Sequence, residues 1–527
     1  MTGADLLVRQ LIAHGVPFVS TLCGNGLDPF YAACKRYGLR LVDVRNEQAA
    51  AYMADTVGRL TRRVGVCSSS SGVAHINSLT GLANAYFDGS PVLLITGASE
   101  SGTAGMGNFQ DLDHVALARP VCKLVQRVER PERIALALHE AVATAQSSRP
   151  GPAHLCIPSD VLRASVNKAD VERWLAETDS GHAAGGTSAK LTVATPPSAA
   201  DSDLVREAVD VLARSRRPLL IAGSGVFYAR GEESLRPLAA AVGAPVVTPI
   251  WDRGSVSRPI PEFLGVIGAA RGGPALLVDA DAIVLAGACL DYRVGYVKPP
   301  AISVKARVVR IDRDPGEMNQ GVSPDVGLVG DPAVLLAQLW NEWQRRRLTV
   351  RTDWLREAQK RNAQYRARWA NSPAAPPMTG RHLVEALRPV LTDDLIFLID
   401  GGNIGQWAHV LLWDRYPGHW LTCGASGGPV HPHVHGDNPR RRTDIAPRKS
   451  VHPHVHGDNF PVVERLGAAA RFTPMCMGTM PRTVVSEARK RFTPMCMGTI
   501  RCTTTGRTPT TVHPHVHGDN GATMASP

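Results

Sequence analysis

No run of apolar residues in this chain approaches the ~18 that a membrane span needs, so a spanning helix is not expected. A charged-then-apolar leader is missing as well, since the opening MTGADLLVRQ already carries Asp5 and Arg9. A cytoplasmic protein is therefore the expectation. The ten cysteines include no Cys-x-x-Cys pair and no regular framework. That pattern reads as buried free thiols in a reducing compartment and gives no zinc or disulfide scaffold.

What is present is a 527-residue chain, 44% apolar, with room for about three domains of ~150 residues. Its net charge of +11 is unevenly placed: residues 429–527 hold 13 Lys and Arg against 6 Asp and Glu, so +7 lies there. The first 428 residues are only mildly basic, which argues against a nucleic-acid partner for the body of the chain. Residues 429–527 also hold nine of the 18 histidines and no Trp or Tyr, a shift of composition that marks a boundary.

Within that tail the nonapeptide VHPHVHGDN occurs at residues 430–438, 451–459 and 512–520, and RFTPMCMGT occurs at 471–479 and 491–499. One DNA segment read in two frames encodes both peptides. Copies begin about 60–63 nucleotides apart, and two of the four steps are not multiples of three, so the frame changes as a protein-level repeat of fixed length cannot make it. The tail thus resembles a translated CRISPR array. Its histidines are not expected to form a designed metal site, because nothing orders them or supplies outer hydrogen-bond partners. Too little apolar surface is available to offset chain entropy, and disorder is the expected state.

Ahead of residue 429 apolar strands alternate with helical periods. Residues 2–14 read as an amphipathic helix with a Thr-x-x-Asp start (Thr2, Asp5) and Gly15 at its stop. PFVSTL, LRLVDV, PVLLITG and AHLCIP read as strands, and residues 48–60, just after Glu47, and 78–88 as helices. Residues 168–201 read as a linker. PLLIAG, APVVTP, DAIVLAG and ARVVRID mark a second unit, and residues 340–371 read as a polar separator. A third unit has a helix at 381–391, the strand DLIFLID, a helix at 404–413 and the strand HWLTC. The fold class is α/β: three doubly wound, mostly parallel-sheet units, the third incomplete, then a disordered C-terminal tail.

Several phrases stand in an order that resembles thiamine-diphosphate-dependent enzymes of the acetolactate-synthase kind: RNEQAAAYMAD, SSGVAHINSLTGLANAYFDGSPVLLITG, NFQDLD, LAGACLDYRVGY, VVRIDRDPGEMNQG and LIDGGNIGQWAH. The resemblance covers residues 1–428 and implies a pyrimidine-binding domain over 1–165, a linker over 166–201 and a central domain over 202–345. It implies an incomplete diphosphate-binding domain over 346–428, with 429–527 a non-native repeat tail on a truncated chain. It departs at Asn46, where many members have His, and at Ser71, where a Gly-Pro-Gly turn has Pro.

The resemblance carries roles with it. Glu47 matches the carboxyl group that hydrogen-bonds the cofactor's aminopyrimidine, and Gln110 a second catalytic position. Phe109 and Lys123 match positions near the substrate. Gly24, Asn25 and Gly72 match the pyrimidine end, and Asp400, Gly401, Gly402 and Asn403 the opening of the diphosphate site. Thiamine diphosphate and Mg²⁺ are the cofactors implied, yet the Gly-Asp-Gly followed about 25–30 residues later by Asn that would hold magnesium is missing from residues 1–428, and no metal ligand is assigned. The turn Gly223, Ser224, Gly225 is too short a signal to imply bound FAD. A small 2-keto acid or acyl-CoA substrate and a homodimer or tetramer are implied, with no specific nucleic acid and no membrane. The activity expected is decarboxylation or carboligation, inactive as this chain. The alternatives are a pseudoenzyme fragment, or a basic, His-rich binding module on an α/β carrier.

Overall fold

The computed structural model describes residues 1–167, 169, 197–414 (except 253, 258–259, 270–271, 319, 351, 371–378, 393–394 and 400–401), 420–422 and 471–474. The chain divides into Met1–Thr479 and Met480–Pro527. All the described residues belong to the first of these units.

The first sheet has strands β1 (Phe18–Leu22), β2 (Arg40–Asp43), β3 (Gly65–Ser69), β4 (Val92–Ala98), β5 (Leu124–Arg127) and β6 (Pro152–Pro158). Their order is β2-β1-β3-β4-β6-β5, and every pair is parallel. Both faces are covered: Leu93 and Ile95 of β4 enter one core with Leu7 and Leu138, while Val92 and Leu94 enter another with Ala51 and Leu82. Such strands read as continuous apolar runs for this reason.

The helices of this domain are α1 (Gly3–Ala13), α2 (Asp28–Tyr37), α3 (Glu47–Thr61), α4 (Val73–Asp88), α5 (His114–Ala118), α6 (Ile134–Gln146) and α7 (Ser159–Arg163). The α1 start is a capping box, in which the Asp5 amide donates to Thr2 Oγ1 at 3.3 Å and the Thr2 amide to Asp5 Oδ2 at 2.9 Å. Between α3 and α4 the approach is close enough that a Cβ added to Gly81 would come within 2.5 Å of the Ala51 methyl. α4 begins at Val73, five residues before the sequence pattern places it.

A second sheet holds β7 (Pro218–Ala222), β8 (Val246–Pro249), β9 (Phe263–Ile267), β10 (Ala282–Ala286), β11 (Arg307–Asp312) and β12 (Val326–Val329), in the order β12-β11-β10-β7-β8-β9, again wholly parallel. Alternate residues of β7 serve two cores, Leu220 and Ala222 one, Leu219 and Ile221 the other. The polar stretch over residues 340–371 is largely helical: it contains the end of the helix Pro332–Arg345 and all of the helix Asp353–Ala370. The latter buries only a narrow stripe, Trp354, Leu355, Ala358 and Asn362, with the Trp354 indole donating to the Pro218 carbonyl at 3.0 Å. A stripe that narrow is easily lost among charges when only composition is read.

In the third unit β13 (Leu395–Ile399) lies between β14 (Trp420–Thr422) and β15 (Arg471–Pro474), both parallel to it. The α/β architecture of parallel sheets is thus what the chain adopts. Of residues 429–527 only β15 is described. The linker expected over 166–201 lies largely outside the described residues.

Candidate active site

In a wound parallel sheet the strand order reverses once, and the loops leaving the carboxyl ends of the strands on either side part to form a crevice. In the first sheet that reversal falls between β1 and β3. Gly24 and Asn25 leave β1, Glu47 follows β2, and residues 70–72 leave β3, so these candidates share one end of the sheet. A Cβ on Gly24 would sit 2.6 Å from the Ser70 Cβ, which leaves no room for a side chain there. Asn25 is exposed.

Glu47 is the first residue of α3, where Asn46 caps the helix by accepting the Gln48 amide at 2.8 Å. Half-buried, its carboxylate receives a hydrogen bond from Asn77 Nδ2 to Oε2 at 3.0 Å. Asn77 is one turn into α4, so the pair ties the starts of two helices together. Sequence reasoning does not single out Asn77, although it lies inside the motif SSGVAHINSL.

α4 starts from Gly72, at φ +62° and ψ −116°, a left-handed conformation that favours glycine. A Cβ there would come within 2.4 Å of the Gln110 Cβ. Gln110 is itself left-handed, at φ +55°. The structure therefore brings Gly72 and Gln110 into contact and places Glu47 near the same helix start. Phe109 beside them is 70% exposed.

Lys123 is employed otherwise. Its ammonium donates to the carbonyls of Thr144 (2.8 Å), Ser147 (2.6 Å) and Arg149 (2.8 Å), closing the end of α6. Burial pulls its pKa down to about 8, and three accepting carbonyls are what a charged ammonium requires there. Those bonds take up its donors and leave none for the substrate contact that the sequence suggests.

At the third unit Gly402 caps the helix Asn403–Leu411, and both Gly402 and Asn403 are exposed. Asp400 and Gly401 lie outside the described residues. Among the described residues no group of three or more His, Cys, Asp or Glu could hold a metal ion. The carboxyl group and close-approach glycines at the end of the first sheet are of a kind that suits a flat polar ring, whereas the described residues supply no magnesium cage. In the central domain Gly225 and Gly287 pack against each other at the floor of a cleft that Arg149 and Arg313 also line. The Ser224 amide there donates to Asp252 Oδ2 at 3.0 Å. A phosphate on that turn would meet a carboxylate first.

Behind α4 lies a buried ionic cluster. Arg59, 1% exposed, donates to Asp55 at 2.9 Å, to Asp88 and to the Thr422 carbonyl of β14, while Asn84 donates to Asp55 at 2.8 Å. Burial pushes the Asp88 carboxyl up to about 7, against the pull of Arg59 and with the help of Asp55. The cluster joins the first domain to the third unit.

A wound parallel sheet whose glycine turns and one carboxyl group stand together at the carboxyl ends of its switch-point strands has the arrangement in which α/β proteins bind coenzymes. Residues 1–117 match the thiamine pyrophosphate enzyme N-terminal TPP binding domain, and residues 205–339 the thiamine pyrophosphate enzyme central domain. Over 451 residues the chain is 31% identical to 2-hydroxyacyl-CoA lyase 2 of Homo sapiens, covering 81% of this chain and 70% of that protein. It is 28% identical over 436 residues to a probable acetolactate synthase large subunit of Methanocaldococcus jannaschii, covering 81% and 71%. The chain belongs to the thiamine-diphosphate-dependent enzyme family, whose usual cofactors are thiamine diphosphate and Mg²⁺. Among the described residues no helix is long and apolar enough to cross a membrane.

Proposed function

We propose that this chain carries the pyrimidine side of a site for carbon–carbon bond cleavage or formation beside the carbonyl of a 2-keto acid or an acyl-CoA, and that it does not complete the reaction alone. The observation that carries this reading is the Glu47 carboxylate, held by Asn77 at the switch-point crevice beside the Gly72–Gln110 contact. Relatives that are 2-hydroxyacyl-CoA lyases and acetolactate synthases support the reaction class.

Bound thiamine diphosphate supplies a thiazolium carbon acid that adds to carbonyls. The chain's own residues do the rest. Asn77 fixes one Glu47 oxygen and leaves the other to hold a proton facing the cofactor's pyrimidine. Gly24 and Gly72 keep side chains out of the ring's path, and the Gln110 amide orients a substrate carbonyl or carboxylate. Thiamine itself, lacking the diphosphate, isolates this end of the site. Calorimetry should show weak thiamine binding that Glu47→Gln weakens about tenfold, the worth of one charge-assisted hydrogen bond. Equal binding by both proteins would remove Glu47 from the site.

A homodimer is part of the proposal. Val73 (56% exposed) and Ile76 (43%) at the start of α4, with Met106 and Phe109 of the next loop, form an uncovered apolar patch around Gly72. Patches of this kind mark interfaces. Sedimentation should find a dimer for the native chain and a monomer for Val73→Asp/Ile76→Asp; a native monomer at ten micromolar would refute the pairing.

A further inference from the structure

Three imidazoles are stacked in the core behind the Gly72 turn. His75, in the first turn of α4, lies 4.6 Å between ring centroids from His114, the first residue of α5, and 4.7 Å from His154 of β6. All three are at most 3% exposed. Nothing in the proposed chemistry uses them.

Their hydrogen bonds fix where the protons are. The Gly72 amide can only donate, and it donates to His114 Nε2 at 2.8 Å, so Nε2 carries no proton. The proton of a neutral ring is then on Nδ1, which faces the Cys156 sulfur at 3.5 Å. His154 Nε2 is paired with the Thr96 hydroxyl at 2.8 Å. A second proton on His114 would set two N–H groups against each other at Gly72 and place a charge beside two more imidazoles.

We propose that His114 is a positioning residue: its neutral imidazole locks the Gly72 turn against Gln110, and a proton taken up by the stack releases both. The groups around His114 favour the neutral ring. Arg127 of β5 opposes a positive charge, His75 of α4 and His154 of β6 add to it once protonated, and the Cys156 thiol is held uncharged by burial. Asp111 and Asp113, on the loop before α5, pull the other way, and Arg119 beyond the helix is exposed. Burial outweighs the aspartates and lowers His114 to about 4 and His75 to about 3, with His154 also driven well down.

The sign follows from linkage. An exposed imidazole titrates near ~6.5, so an opened turn binds protons that the closed one refuses between about pH 4 and 6.5. The lock is complete above about 6.5 and weakens as the pH falls, about tenfold per unit for one imidazole. Its meaning for catalysis rests on the cofactor reading above; the lock itself does not, and its test uses no cofactor.

Hydrogen–deuterium exchange of the full chain, corrected for intrinsic rates, should show protection of the peptide covering residues 70–80 falling about tenfold from pH 7.5 to 5.5. His114→Gln keeps an acceptor for the Gly72 amide without a titrating ring, and should hold protection at pH 7.5 while losing most of the slope. His114→Phe should lose protection at both values. Exchange of the histidine C2 proton, read by mass spectrometry on the native chain, gives the His114 midpoint directly and decides the matter even where a variant fails to fold. A midpoint below about 5 supports the lock. A midpoint at 6 or above, or a His114→Gln slope equal to that of the native chain, overturns it.

Discussion

No turnover of pyruvate, glyoxylate or oxalyl-CoA is the expected result when the purified chain is mixed with thiamine diphosphate and Mg²⁺, and calorimetry should detect no micromolar binding of the cofactor. The reason is anchorage. Holding a reacting carbon in place is worth about 7–11 kcal/mol of a barrier. A diphosphate is held by hard oxygen ligands around magnesium. The chain lacks the Gly-Asp-Gly…Asn pair ahead of residue 429, and the Gly-Asp-Asn of its nonapeptide lacks the second glycine. The described residues of the third unit supply no metal cluster in its place. Glu47 and its surroundings would then meet a cofactor fixed at one end only. Micromolar binding together with turnover that Glu47→Gln abolishes would show the anchor to be present in another form.

Arg59→Met should lower the stability of the chain by about 3–5 kcal/mol, because removing one partner of a buried ion cluster leaves the other charges uncompensated. Two carboxylates depend on that guanidinium, Asp55 and Asp88, and both are buried. Loss of the bond to the Thr422 carbonyl also frees β14 from the first domain. Urea unfolding followed by circular dichroism measures the effect. The triple variant Arg59→Met, Asp55→Asn, Asp88→Asn should recover much of the loss, since no bare charge then remains. A single-variant loss below about 1 kcal/mol would mean that water reaches the cluster.

Much of the site's scaffold is legible in the sequence because parallel strands buried on both faces leave unbroken apolar runs, as in PVLLITG and DAIVLAG. β3, GVCSS, escapes notice because Gly, Cys and Ser carry no such signal, although it is buried throughout. The helix Asp353–Ala370 reads as a separator for the opposite reason, a long polar surface hiding four buried residues, one of them the polar Asn362. Glu47 and Gly72 stand inside recognisable phrases, and the structure places them at one end of one sheet. Their supports do not show: Asn77, His114 and Arg59 act through contacts 30, 42 and 29 residues distant in the chain, which no local pattern encodes. Lys123 misleads for a related reason, since a lysine closing a helix end and one facing a substrate look alike until their acceptors are known.

Every pairing between strands among the described residues is parallel. Neighbours of this kind cannot be joined by a tight hairpin; each needs a crossover of about a dozen residues or more. No local hairpin is therefore available to nucleate either large sheet, and loop-closure entropy is met before the first strand pair forms. On a translating ribosome β1 is made well before its partner β3, and β7 well before β10. The nascent chain passes through a stage with unpaired apolar strands exposed, so its yield in a cell depends on chaperone capacity and synthesis rate as well as on the stability of the finished fold.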